Sequence, residues 1–198
     1  MKFTVWIFFV IFISGSVVLV PSLNHSVAQT AKNKTADPVP RIPDAIVYDQ
    51  NGKQLKFYTD LVKGKTVAIN FIFTTCTNIC PPLTATFRRV QTQLENETGI
   101  NASLISVSVD PTTDVPERLK AYAEKFKAGP GWTFVTGEKP QIDRLLVALG
   151  TAVAEKNDHT PMVLIGNDSA GYWTRAYGLS PPARLVEIIK GAAGQKAP

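Results

Sequence analysis

The sequence contains few of the residues that most often bind metals or carry out catalysis. Its 198 residues include only two cysteines and two histidines. A zinc site built from cysteine and histidine needs four ligands, but His25 lies in the amino-terminal segment that has the layout of an export signal, which leaves only three. The sequence also has neither a glycine-rich phosphate loop nor a Gly-x-Ser-x-Gly turn. These absences argue against a zinc protein, a P-loop nucleotide-binding protein and a serine hydrolase.

Positive charge is modest and spread along the chain. Lysine and arginine number 21 against 16 acidic residues, which gives a formal net charge of +5. No stripe of basic residues alternates with aromatic ones, as a nucleic-acid interface would require. We therefore expect no nucleic acid among the partners, and the charge is typical of a solvated surface.

The amino terminus has the layout of an export signal. Met1 and Lys2 precede residues 3–20, which carry no charge, and Ser26-Val27-Ala28 offers the small residues of a cleavage site. Residues 1–28 are therefore predicted to be a signal peptide, or an N-terminal membrane anchor if residues 3–20 are retained as a short span. Either outcome places the protein in the periplasm or cell envelope, and a retained span at residues 3–20 would anchor it to the inner membrane. Residues 29–41 are polar and contain prolines, which predicts a flexible linker.

A single domain is predicted over residues 42–192, with a tail at 193–198. Gln50-Asn51-Gly52 separates two short apolar runs and predicts an N-terminal hairpin. The run "TVAINFIF" fits a strand buried on both faces. After it, strands and helices alternate, and Leu83, Phe87, Val90 and Leu94 give the first helix a buried face. This pattern predicts an α/β fold with a central mixed sheet and flanking helices.

The two cysteines, Cys76 and Cys80, follow the central strand and precede Pro81 and Pro82. A disulfide clasp, a metal site and a redox pair each fit this placement. A bridge across so short a loop would remove little chain entropy, which makes a purely structural disulfide the weakest of the three. Because residues four apart can share one helix face, two sulfurs at this spacing can converge on one soft ion.

Three segments together resemble the Sco (SenC) family of the thioredoxin superfamily. They are "FIFTTCTNICPPL", "SVSVDPTTDVPERLKAY" and "DHTPMVLIG". The resemblance extends over about residues 40–190. It implies a thioredoxin-like fold and a metallochaperone that delivers copper during cytochrome c oxidase assembly. The implied partner is a cytochrome c oxidase subunit or another exported copper or thiol client.

The same resemblance implies a copper site formed by Cys76, Cys80 and His159. Asp158 would orient the histidine or its loop. A thiol–disulfide oxidoreductase that acts on exported client proteins is the alternative, with Cys76 and Cys80 as its redox pair. Pro161 favours this alternative, because it resembles the cis-proline that packs against the cysteines in thioredoxin-like folds.

Three further residues near these motifs are predicted to have structural roles. Asp114 lies just before Pro116 and is predicted to cap the helix that begins there. Asp110 is predicted to form the turn after the second central strand. Met162 begins the apolar run "MVLI" and is expected to lie in the core rather than to bind metal.

Overall fold

The computed structural model describes residues 39–97, 100–152 and 161–196. All of them belong to one unit of the chain, Thr35–Pro198. The predicted signal or anchor, most of the predicted linker and His159 lie outside the described residues. Within the three described ranges, no helix has both the length and the apolar character to cross a membrane.

The domain begins with the predicted hairpin. Strands β1 (Ile46–Asp49) and β2 (Gln54–Lys56) pair antiparallel. The Asp49 carboxylate accepts hydrogen bonds from the backbone N–H groups of Asn51 and Lys53, at 2.8 and 2.9 Å. This carboxylate therefore fixes the turn between the two strands.

One turn of π-helix, Phe57–Val62, follows β2 and was not predicted. Phe57, Leu61 and Val62 are all buried. A helical turn brings residues four and five apart onto the same side, whereas a strand would alternate them, so burial of this set decides the local conformation.

The sheet is mixed, as predicted, and has seven strands in the order β2-β1-β5-β4-β3-β6-β7. The remaining strands are β3 (Thr66–Ile72), β4 (Ala102–Ser108), β5 (Trp132–Thr136), β6 (Met162–Asn167) and β7 (Tyr172–Tyr177). Strand β3 is buried over its whole length. It pairs parallel with β4 and antiparallel with β6, which accounts for its continuous run of apolar residues.

Within the described residues, four α-helices cover the sheet. They are α1 (Cys80–Glu95), α2 (Pro116–Lys125), α3 (Lys139–Leu149) and α4 (Pro182–Ala193). Helices α1, α2 and α4 contribute to one apolar core, and α3 contributes to a second core with the π-helical turn. All four residues predicted for the buried face of α1 are buried, which confirms its 3.6-residue period.

This topology brings the ends of several strands together. The parallel strands β3, β4 and β5 all end at the same edge of the sheet, and the antiparallel β6 begins there. The loop from β3 to α1 leaves this edge and carries Cys76. We call this edge, defined by Ile72, Ser108 and Met162, the cysteine end.

Candidate metal and thiol site

The turn between β3 and α1 brings the two cysteines into contact. The backbone N–H of Cys76 donates to the Phe73 carbonyl at 3.1 Å. The backbone N–H of Cys80 donates to the Cys76 sulfur at 3.3 Å. The prediction that both cysteines share one helix face is therefore wrong in detail, because α1 begins at Cys80 and Cys76 precedes it. A turn of the loop, rather than a helix face, brings the two residues together.

Two prolines in the first turn of α1 leave Cys80 as the main backbone donor there. The first helical residue is Cys80, and it is followed by Pro81 and Pro82. Neither proline has an N–H group. Among the first three helical residues, Cys80 alone can donate a backbone hydrogen bond, and it donates to the Cys76 sulfur. The amino end of the helix thus stabilises negative charge on Cys76.

The two cysteines differ in exposure and in acidity. Cys80 is 0% exposed, whereas Cys76 is half-buried and packs against the edge of the core. Burial alone would raise the pKa of the Cys76 thiol. Hydrogen bonds from Cys80, Asn78 and Ile79 outweigh that effect and lower the pKa below its usual value. Burial, together with the hydrogen bond to Cys76, raises the pKa of Cys80 to about 12.

Both cysteines are free thiols in this structure. The disulfide expected as one alternative from the sequence is therefore not formed here. The arrangement instead places a half-buried thiol of lowered pKa beside a fully buried thiol of raised pKa. Soft thiolate ligands of this kind suit Cu(I), and a neighbouring thiol pair also suits disulfide exchange.

Asp114 is a buried carboxylic residue that is hydrogen-bonded to the cysteine loop. Its carboxylate is 0% exposed. It accepts hydrogen bonds from the Thr74 hydroxyl at 2.6 Å, the Thr74 N–H at 3.1 Å and the Ser108 hydroxyl at 2.6 Å. The predicted capping role is wrong, because Val115 is the N-cap of α2 and no side chain caps it. Asp114 instead joins the cysteine loop to the end of β4.

Asp110 has the turn role that was predicted for it. Its backbone carbonyl accepts from the N–H groups of Thr113 and Asp114, at 3.0 and 2.9 Å. Its carboxylate accepts from the Thr112 hydroxyl at 3.0 Å. These contacts close the loop that leads from β4 into α2. Asp114 lies in this loop, within hydrogen-bond distance of Thr74.

A second polar contact joins α1 to α2 behind the cysteines. The Thr84 hydroxyl donates to the Cys80 carbonyl at 2.8 Å and lies 2.9 Å from the Tyr122 hydroxyl. Since the Thr84 proton is used on Cys80, Tyr122 donates to Thr84. Burial raises the pKa of Tyr122 well above its usual value, so this donor keeps its proton.

No sequence motif pointed directly to Thr74, Ser108 or Tyr122 as site residues. Ser106 and Ser108 occur at alternating positions of a strand that is otherwise apolar, and both are 0% exposed. Buried hydroxyls need hydrogen-bond partners. That pattern was the available clue to a polar cluster at the end of β4.

His159 and Asp158 lie outside the described residues, so their predicted roles stay predictions. Among the described residues, no group of three metal-ligating side chains occurs. Pro161 is the first described residue after His159, and strand β6 begins at the next residue, Met162. Val163 lies opposite Asn70, near the end of β3. Strand β6 therefore begins at the cysteine end.

Pro161 and Met162 have separate outcomes. The Pro161 carbonyl accepts from the Gly178 N–H at 2.8 Å. The peptide bond before Pro161 begins at Thr160, outside the described residues, so the expected cis-proline stays a prediction. Met162 is 3% exposed within the second core, which confirms its assignment as a core residue.

Comparison with known proteins agrees with this fold. The family model described as SCO1/SenC matches residues 46–194. The chain belongs to the SCO1/SenC family. Within that family, the SCO1 protein homolog of Bacillus subtilis is 30% identical over 145 residues, which cover 72% of this chain and 70% of that protein.

Two further proteins are similar to this chain. A Stutzerimonas stutzeri protein, whose name proposes copper binding for it, is 37% identical over 109 residues, covering 55% of this chain and 52% of that protein. The structure of BsSco, a Sco-family cytochrome c oxidase assembly protein in which a disulfide switch was identified, is 28% identical. It aligns with a TM-score of 0.66 over 81% of this chain and 98% of that chain. The thioredoxin-like fold expected from the sequence is confirmed.

Replacing Asp114 by alanine should destabilise the domain strongly. The change leaves the Thr74 N–H and two buried hydroxyls without their acceptor. We expect the free energy of unfolding to fall by about 2–4 kcal/mol in urea denaturation.

Asp143→Ala is the matched control, since it removes an exposed carboxylate that pairs with Lys139 at 2.7 Å. This variant should lose no more than about 0.5 kcal/mol. Equal losses in the two variants would contradict a structural role for the Asp114 network.

Proposed function

We propose that this protein is a copper carrier of the cell envelope. Cys76 and Cys80 bind Cu(I) as thiolates, and His159 supplies a nitrogen ligand. The protein hands the ion to a partner during cytochrome c oxidase assembly, with the copper site of an oxidase subunit as the target. The contact between Cys80 and the Cys76 sulfur at the cysteine end carries this proposal.

The donor set fits the cargo. Two sulfur atoms side by side form a soft site, and a single nitrogen completes three-coordination, which favours Cu(I) over harder ions. Family membership and the name of the Stutzerimonas relative support the same ion. An exported location, which the export signal predicts, would place the carrier beside an envelope target.

The half-buried position of Cys76 suits transfer as well as binding. A partner can approach Cys76 from the solvent, while Cys80 stays in the core. Thiol ligands lose their protons when they bind a metal. Because the pKa of Cys80 is raised to about 12, we expect Cu(I) loading to strengthen as pH rises.

Metal loading of the reduced full chain tests the ligand set. Native mass spectrometry should count one Cu(I) per chain in the parent. The variants Cys76→Ser and Cys80→Ser should lose the ion, because each removes one of two soft ligands. His159→Ala should bind at least tenfold more weakly, in a competition assay with a Cu(I) chelator.

Met162→Leu is the matched control, because it removes the thioether near the cysteine end and conserves core volume. It should load as the parent does. If His159→Ala binds Cu(I) as tightly as the parent, histidine ligation is wrong.

The asymmetry of the cysteines favours a second function, thiol–disulfide exchange with an exported client. The Cys76 thiolate attacks one sulfur of a client disulfide, whose S–S bond breaks and releases the other client sulfur as a thiolate. Cys80 then loses its proton, which the released client thiolate takes up, and the Cys80 thiolate attacks the Cys76 sulfur and releases the first client sulfur, which takes up a proton from solvent. The client disulfide gains two electrons and two protons, and Cys76 and Cys80 become oxidised.

The exposed and buried positions predict which cysteine forms the intermediate. In a Cys80→Ala variant, a mixed disulfide with a disulfide-bonded peptide should accumulate on Cys76, because no second thiol releases it. In a Cys76→Ala variant, the buried Cys80 should form little adduct. Mass spectrometry after acid quenching measures both. Equal adduct in the two variants, or none in either, would argue against this second function.

A further inference from the structure

A groove along α2 lies beside the cysteine loop. It has a volume of about 350 Å³. Its lining consists of Thr74, Arg118, Ala121, Tyr122 and Lys125. Thr74 is two residues before Cys76, so the groove adjoins the loop that carries the exposed thiol. No function assigned above uses this groove.

Two of the side chains that line the groove are cationic. Arg118 and Lys125 are seven residues apart on α2, which places them on the same helix face about 10 Å apart along its axis. The small side chain of Ala121 lies between them. In the described part of the chain, neither cation takes part in an ion pair. The two acidic residues of this helix, Glu117 and Glu124, do not line the groove.

Arg118 is held by the same network that positions the cysteine loop. Its Nε donates to the Thr74 hydroxyl oxygen at 3.3 Å. That hydroxyl donates to the buried carboxylate of Asp114 at 2.6 Å. The contact uses one of the five guanidinium N–H groups, and the terminal amino groups have no acceptor among the described residues. A cation that can bind a carboxylate is thus attached to Thr74, two residues before Cys76 in the cysteine loop.

We propose that this groove binds an acidic segment of the partner protein, with two carboxylates about 10 Å apart. Binding there would bring the partner's own cysteines to Cys76. This inference rests on the proposed function, because it concerns how a client reaches the same thiol. Exposed charges of opposite sign mainly accelerate association and select the partner.

Synthetic peptides test the groove without a natural partner. Three peptide dimers are compared, and in each one a disulfide joins two identical peptides through their single cysteines. The cysteine of each peptide is flanked by two glutamates in the first dimer, two glutamines in the second and two lysines in the third. The reduced full chain attacks the dimer through Cys76. One peptide leaves as a thiolate that takes up a proton, and Cys80 then releases the other while the protein disulfide forms. Stopped-flow kinetics at low salt give the second-order rate constant of the first step.

We expect the glutamate dimer to react about threefold to tenfold faster than the glutamine dimer, since each exposed ion pair contributes little by itself. The lysine dimer should be slower than both. The advantage of the glutamate dimer should fade at high salt, because added ions screen exposed charges. In the double variant Arg118→Gln/Lys125→Gln, the glutamate and glutamine dimers should react at about the same rate.

The double variant Lys53→Gln/Lys120→Gln is the matched control. It removes the same net charge from exposed lysines outside the groove and should keep the glutamate advantage. Loss of the advantage in this control would show a net-charge effect and overturn the groove. Equal rates for all three dimers in the parent would also overturn it, while leaving the thiol chemistry intact. If no dimer reacts, thiol exchange is overturned and the groove proposal with it. Copper carriage would not be affected, because the Cu(I) loading assay tests it separately.

Discussion

The turn from Phe73 to Cys80 fixes the Cys76 sulfur, and the site depends on that position. The turn starts from β3, which is buried along its whole length, and ends at a cysteine that is fully buried in the core. Two prolines leave one backbone N–H at the start of α1, and it donates to Cys76. Both ends of the loop are therefore anchored, and Asp114 holds the loop near its start through Thr74.

Copper carriage and thiol exchange draw on the same difference between the two cysteines. The half-buried Cys76 has a lowered pKa, whereas burial raises the pKa of Cys80. A half-buried thiolate that solvent still reaches can meet either a copper-accepting partner or a client disulfide. A buried second sulfur can either complete a metal site or release a mixed disulfide. The two proposed functions are compatible, since a carrier can also keep the cysteines of its target reduced.

The elements around the site were predictable because burial sets their periodicity. The apolar run of β3 and the spacing of Leu83, Phe87, Val90 and Leu94 located the cysteines at a strand–helix junction. The role of Asp114 was not predictable in this way. An aspartate just before a helix is typical of a cap, and its hydrogen-bond partner Thr74 is 40 residues away in the chain. Tertiary contacts over that distance have no local sequence pattern.

The central claim is that two sulfurs and one imidazole bind a single Cu(I) at the cysteine end. X-ray absorption spectroscopy at the copper edge of the loaded protein measures these ligands directly. The account predicts two sulfur scatterers and one nitrogen scatterer, with the nitrogen lost in His159→Ala. Two sulfur scatterers alone in the parent, unchanged in that variant, would contradict it.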